Sequence, residues 1–212
     1  MKGLLASSLI VAYRTFRSET IRTRIRRLII RVEGGPEYSP TIREVLRRYY
    51  HVEIGLYTKW PHRLKPAVFH RGTSIGRYCF VADTVRTFTR NHPMDLKSTH
   101  GFFYNPQLGL VKGKPMLFNR LNIGHGVTVG HNSIILPPTT EIGHGAIIAP
   151  GSVVCSNIPP YSLVSGFPAR VTGYRFAKEK IVELIDSRWW DCAPSELSSD
   201  SGLGTTELSA MS

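Results

Sequence analysis

The chain has 212 residues, 42% hydrophobic and 20% charged, enough for one substantial core with a small appendage and too apolar for wholesale disorder. Its formal net charge of +12 gathers near the start, with 14 Lys and Arg against 5 Asp and Glu up to residue 65 and 13 against 10 beyond it. Three scattered cysteines, Cys79, Cys155 and Cys192, supply neither a disulfide framework nor CxxC metal spacing and point to free thiols in a reducing compartment.

Residues 1–33 predict a helix. Leu4, Leu5, Ile10 and Val11 open it, and Ile21, Ile25, Leu28 and Ile29 recur at helical spacing among arginines until Gly34-Gly35-Pro36 stops it. The opening apolar stretch is short and broken by Ser7 and Ser8, so it falls below the roughly 20 residues of a membrane-spanning helix. The expectation is a cytosolic protein whose basic arm, residues 1–65, caps the fold and touches an anionic membrane surface; no nucleic-acid motif accompanies it. A second helix is predicted from about Ser39 to Tyr50, with Pro40 in its first turn.

From about residue 66 the period becomes six. Phe69, Ile75 and Val81 are followed, after a gap, by Leu117, Ile123, Val129 and Ile135, then by Ile142, Ile148, Val154 and Pro160. Small residues come next in the chain at Gly76, Ala82, Gly124, Gly130, Gly143 and Ala149, and small or β-branched ones four positions on, such as Cys79, Val85, Val127, Ser133, Ala146 and Ser152. A six-residue period fits neither helix nor hairpin. It fits a triangular coil, 66–174, with one aliphatic side chain per face pointing inward and glycines permitting the corners. Pro137 to Glu141 carries one residue too many, so that turn should bulge.

The gap, about 87–116, is polar and aromatic, as expected of a folded functional loop. Residues 175–192 predict a C-terminal helix with Ile181, Leu184, Ile185, Arg188 and Trp189 on one face, and 193–212 a disordered tail.

Asn91-His92-Pro93-Met94-Asp95 in the loop, the Ile-Gly-His-Gly hexads, Ile158-Pro159-Pro160-Tyr161, Gly166-Phe167-Pro168-Ala169-Arg170-Val171, and Arg188-Trp189-Trp190-Asp191 together resemble the hexapeptide-repeat acyltransferases over about residues 66–192. The likeness is to both the xenobiotic (chloramphenicol and streptogramin) acetyltransferases and the sugar and polysaccharide O-acetyltransferases. It implies a mainly β fold, a left-handed parallel β-helix, assembled as a homotrimer with acetyl-CoA as co-substrate and no metal. It further implies that His92 is the base, that Arg170 lies near the CoA phosphates, and that His131 with Ala149 and Pro150 flanks the pantetheine. Two departures stand out: many members carry Trp where this chain has Thr128, and the basic arm is larger than a minimal drug-modifying enzyme needs.

Read from the residues themselves, imidazole suits proton removal from an alcohol, and one base in reach suffices for direct attack on a thioester. His92 could equally be a structural loop histidine bonded to Asp95; Asp95 and Asn91 could orient its ring or the loop. Lys178 would add positive charge beside Arg170. His100, Phe102, Phe103 and Tyr104 could stack on a small-molecule or glycan acceptor or form the loop's own core. The leading expectation is O-acetylation of a carbohydrate hydroxyl, with antibiotic acetylation as the alternative. His125, His131 and His144 carry a competing expectation from another class, since the γ-class carbonic anhydrases hold zinc on a similar fold.

Overall fold

The structure is a computed structural model that describes residues 2–59, 69–113 and 118–199; Leu117 lies outside these. It divides into two units, 1–175 and 176–212.

In the first unit, helices α1 (Lys2–Thr15) and α2 (Glu19–Val32) replace the single helix expected over 1–33. The break falls at Phe16–Ser18, where Ser18 is extended at the α2 N-cap. Folding back lets Tyr13 meet Tyr50, and Arg26 donates to both phenolic oxygens at 2.8 and 3.0 Å, an exchange a straight helix could not make. α3 (Pro40–Val45) has Pro40 at its first turn and Ser39 Oγ accepting the Ile42 N–H; a π turn, Leu46–Tyr50, continues it. Ile25, Ile29, Ile42 and Val45 are buried and join the main core.

Twelve short strands follow: β1 (Glu53–Ile54), β2 (Thr73–Ile75), β3 (Phe80–Val81), β4 (Arg86–Thr87), β5 (Leu121–Ile123), β6 (Thr128–Val129), β7 (Ile134–Ile135), β8 (Glu141–Ile142), β9 (Ile147–Ile148), β10 (Val153–Val154), β11 (Ser162–Gly166) and β12 (Ala169–Tyr174). In the order the chain visits them they pair into a first sheet, β1-β2-β5-β8, a second, β12-β11-β9-β6-β3, and a third, β10-β7-β4, parallel except for the β11–β12 hairpin. Successive strands step from sheet to sheet, so the chain winds as a three-faced coil. In-register pairing stacks Ile54, Ile75, Ile123 and Ile142 in one column, Val81, Val129, Ile148 and Val164 in the next, and Thr87, Ile135 and Val154 in the third. All are buried. Each such aliphatic side chain contributes about 2 kcal/mol of burial. The residues four positions on, Cys79, Val127 and Ala146 among them, are buried as well.

The coil begins earlier and ends differently than the hexads suggest. Ile54 forms a rung inside the arm assigned to residues 1–65, because its backbone pairs with Ile75. At the far end Ile158, not Pro160, meets Ile142: the last turn is short, and proline has no N–H to give to the ladder. The glycines also play a different part. Left-handed backbone sits in several of the corners, at Gly126 and Gly145 but also at Tyr78, Asn132 and Tyr161. Gly124, in contrast, is needed for closeness: a Cβ there would lie 2.7 Å from the His144 amide nitrogen of the next turn.

In the second unit, α4 (Lys178–Asp186) is shorter than the helix expected over 175–192. Arg188 adopts the left-handed conformation, φ 48°, and a 3-10 turn Trp189–Asp191 follows. Trp190, not Trp189, is the buried indole. Helix α5 (Pro194–Ser199) occupies the start of the segment expected to be disordered; residues 200–212 lie outside the described residues.

Candidate active site

Between β4 and β5 the chain leaves the coil. Thr87 is still a buried rung, and Thr89 and Asn119 close the neck, the Asn119 N–H donating to the Thr89 carbonyl at 2.8 Å and its side-chain amide to Pro137 O at 2.9 Å. The Arg90 guanidinium lies 4.5 Å from the Phe118 ring centre, a cation–π contact across the same neck. The backbone leaves and re-enters the coil at this neck.

His92 projects from this excursion and is exposed. Its Nδ1 lies 2.7 Å from the Tyr104 hydroxyl, the two rings edge to face at 5.7 Å. Tyr104 is carried on a 3-10 turn, Gly101–Phe103, that His100 caps by accepting the Phe102 N–H at Nδ1, 3.3 Å. The structure therefore couples the start of the excursion to its middle through one imidazole–phenol bond. Asn91 and Asp95 are exposed, and neither reaches His92 with a hydrogen bond among the described residues. A hydroxyl oxygen can accept from Nδ1–H, which leaves the Nε2 lone pair outward, the form a general base requires. Phe102 and Phe103 are exposed, so they are available as a wall and are not the excursion's core.

His131, Ala149–Pro150 and Arg170 lie along a different edge. His131 occupies the corner between β6 and β7. Gly151 N–H donates to its carbonyl at 2.8 Å, placing Ala149–Pro150 on the adjacent turn, and Ala149 N–H donates to Val164 at 2.8 Å. Arg170 pairs with Ser165 in the closing hairpin. One imidazole, backbone carbonyl groups and one guanidinium thus form a row running with the coil axis. The His131 ring is steadied at Nδ1 by Thr84 Oγ1 at 3.2 Å and the Asp83 carboxylate at 3.4 Å. Lys178, the exposed first residue of α4, belongs to the second unit.

His125 and His144 sit on a third line, the corner between the first and second sheets. Their rings stack at 5.1 Å. His125 Nδ1 accepts the Arg77 N–H and His144 Nδ1 the His125 N–H, both at 2.9 Å. Each imidazole thus serves a backbone donor of the turn before it, and burial lowers the His144 pKa from its ordinary value. These two histidines border a cleft of about 420 Å³ over the outer face of the first sheet, with Glu53, Ser74, Asn122 and Glu141. His131 is on another edge, so the three histidines do not converge within one chain; no group of three or more His, Cys, Asp or Glu that could hold a metal ion lies among the described residues.

The sequence singled out His92 but did not pair it with Tyr104. A phenol twelve residues away has no spacing rule, and only the path of the excursion brings it back. The histidine ladder, in contrast, had a signal: His125 and His144 follow Gly124 and Gly143, which stack in adjacent turns.

No family model matches the chain. A chloramphenicol acetyltransferase of Escherichia coli is 32% identical over 123 residues, 55% of this chain and 58% of its own. A Lysinibacillus sphaericus protein described as "Probable macrolide acetyltransferase" is 33% identical over 140 residues, 63% of this chain and 77% of its own. The chain thus spans little more than half of the first relative and over two thirds of the second. Among solved structures, a hexapeptide-repeat acetyltransferase of Vibrio cholerae overlaps 80% of this chain and 88% of its own at 19% identity and TM-score 0.45, too loose a match to place side chains.

Proposed function

This chain belongs to the hexapeptide-repeat acyltransferase family, and on that premise we propose that it is an acetyl-CoA-dependent O-acetyltransferase with His92 as general base. The observation that carries the reading is the exposed imidazole held at Nδ1 by Tyr104, 2.7 Å away, which turns the other nitrogen toward whatever enters the loop. The coil is read as left-handed, as in that family.

His92 Nε2 takes the acceptor hydroxyl proton as the oxygen attacks the thioester carbonyl. The C–O bond forms, the tetrahedral oxyanion collapses, the C–S bond breaks, and the imidazolium returns the proton to the departing sulfur. The products are an O-acetyl ester and free CoA, and no acyl-enzyme is formed. Tyr104 keeps the ring oriented throughout and accepts from Nδ1–H while the imidazole is charged.

The thioester is read as lying along the row of His131, Ala149, Pro150 and Arg170. The exposed Arg170 guanidinium suits a phosphate. His92 leaves the coil between the third and first sheets, while this row follows the edge between the second and third. That the base and the row lie on different edges of one chain supports reading the protein as a homotrimer with sites shared between subunits. Phe102 and Phe103 line the acceptor side with His100.

The acceptor is read as a carbohydrate hydroxyl, with the protein in the cytoplasm. The matched relatives favour a second reading, a chloramphenicol- or macrolide-type antibiotic. The test follows CoA release from acetyl-CoA across sugars, nucleotide sugars, chloramphenicol and macrolides, with wild type and His92→Ala side by side. One acceptor class should turn over, and His92→Ala should lower that rate about 10²–10⁴-fold. Near-normal turnover by His92→Ala would overturn the assignment.

A further inference from the structure

The helical hairpin ahead of the coil carries an unbalanced charge. Arg14, Arg17, Arg24, Arg27 and Arg31 are exposed, and none has a hydrogen-bonding or ionic partner among the described residues. The acids that could answer them are occupied. Glu19 binds Arg26 at 2.7 Å. Glu33 accepts from the hydroxyls of Ser39 and Thr41 and from the Thr41 N–H at 3.2 Å.

The arginines are not scattered. At 100° per residue, Arg24, Arg27, Leu28 and Arg31 share one arc of about 100° on α2, opposite neither one another nor the solvent. Ile25 and Ile29 point to the core instead. At the edge of that cationic arc, next to Arg24, stands Leu28, 47% exposed, and at the hairpin tip Phe16, 46% exposed, sits beside Arg17. Val11 is exposed on α1. Solvation of the charges alone does not account for exposed apolar side chains beside them. A polyanion would find the cations but gain little from a leucine and a valine. A surface with anionic headgroups over hydrocarbon satisfies both kinds of group together.

We propose that the α1–α2 hairpin is a docking face for an anionic lipid surface, its arginines meeting headgroup phosphates while Phe16 and Leu28 enter the interface. The attachment is peripheral, since no helix of the described residues is long and apolar enough to cross a membrane. This inference is independent of the acyl-transfer chemistry.

The full chain is sedimented with vesicles of phosphatidylcholine alone and of phosphatidylcholine containing phosphatidylglycerol. It should pellet with the anionic vesicles only. Arg24→Gln/Arg27→Gln/Arg31→Gln should weaken that partition about fivefold per arginine. Phe16→Ser and Leu28→Ser, which leave the charge unchanged, should each weaken it measurably. All five positions are exposed, and an unchanged circular dichroism spectrum shows that the fold is retained. Failure to pellet with anionic vesicles, or pelleting that the triple variant leaves unaltered, overturns the proposal. So does full binding by both serine variants, which reduces the face to simple polyanion attraction. Binding of a mixed-sequence oligonucleotide more tightly than the anionic vesicles assigns the face to nucleic acid instead.

Discussion

In the coil, Ile135, Ile142 and Ile148 are at most 1% exposed, whereas in the excursion Phe103, Leu110 and Met94 stand 58%, 69% and 89% exposed. Each turn of the coil donates its strand amides to the turn above or below, as Gly124 does to Ile142 and Thr128 to Ala146. The excursion relies on a pinned neck, two 3-10 turns and one phenol–imidazole bond. The first region is built to stay the same from rung to rung. The second is built to leave side chains uncovered. On the proposed mechanism the imidazole belongs in the second because a general base must be reachable, and its bond to Tyr104 within the same excursion keeps it from wandering.

Substitutions on the two sides should separate cleanly. His92→Ala should abolish about 10³-fold of acetyl transfer, roughly 4 kcal/mol of transition-state stabilisation, while leaving the thermal midpoint unchanged in a melting scan. Ile148→Ala should do the reverse: about 3 kcal/mol of stability lost to the cavity, read in urea titration, with residual activity tracking the folded fraction. Gly124→Ala should cost about 2 kcal/mol, because the new methyl meets the backbone of His144 at 2.7 Å and neither turn can retreat. If it costs nothing, the turns are looser than the stacking implies.

Tyr104→Phe sharpens the boundary between the regions. It removes the partner of His92 Nδ1 but keeps the ring, so turnover should fall about tenfold with little change in the Michaelis constant for acetyl-CoA and none in stability. An equal rise in that constant would instead place Tyr104 against the substrate.

The smallest expected effect concerns the His125–His144 ladder. Burial lowers the His144 pKa, so the fold favours the neutral imidazole whose Nδ1 accepts the His125 N–H. The corner is fully stable above the ordinary imidazole value of about 6.5 and loses stability as pH falls from there through the depressed folded value. The thermal midpoint at about pH 5 should lie a few degrees below that at about pH 8, and His144→Asn, which keeps an acceptor and cannot titrate, should show a smaller difference.

Much of the coil was readable because a stacked prism writes its geometry into the chain. One inward residue per face forces a period of six, and Ile75, Val81, Ile123, Val129, Ile135, Ile142, Ile148 and Val154 follow it, with one added residue before Ile142. Ile54 and Val164 escaped because the hexads on their outer sides are missing. The helix break at Phe16–Ser18 escaped because apolar spacing runs through it, and only the meeting of Tyr13 and Tyr50 required the turn. His92 was legible through its Asn-His-Pro setting, while Tyr104 as its partner was not.

By itself the sequence determined the repeat, the column of aliphatic residues, the place where the repeat is interrupted and the basic bias of the first helices. These are local matters of spacing and composition, and each is decided within a few residues. Tertiary structure alone decided which phenol steadies the imidazole, that the His131–Arg170 row and the His92 loop occupy different edges, that two histidines serve backbone amides, and which arginines are left without an acid. Those outcomes depend on where turns far apart in the chain come to rest, and no residue carries that information until the coil has closed around its core.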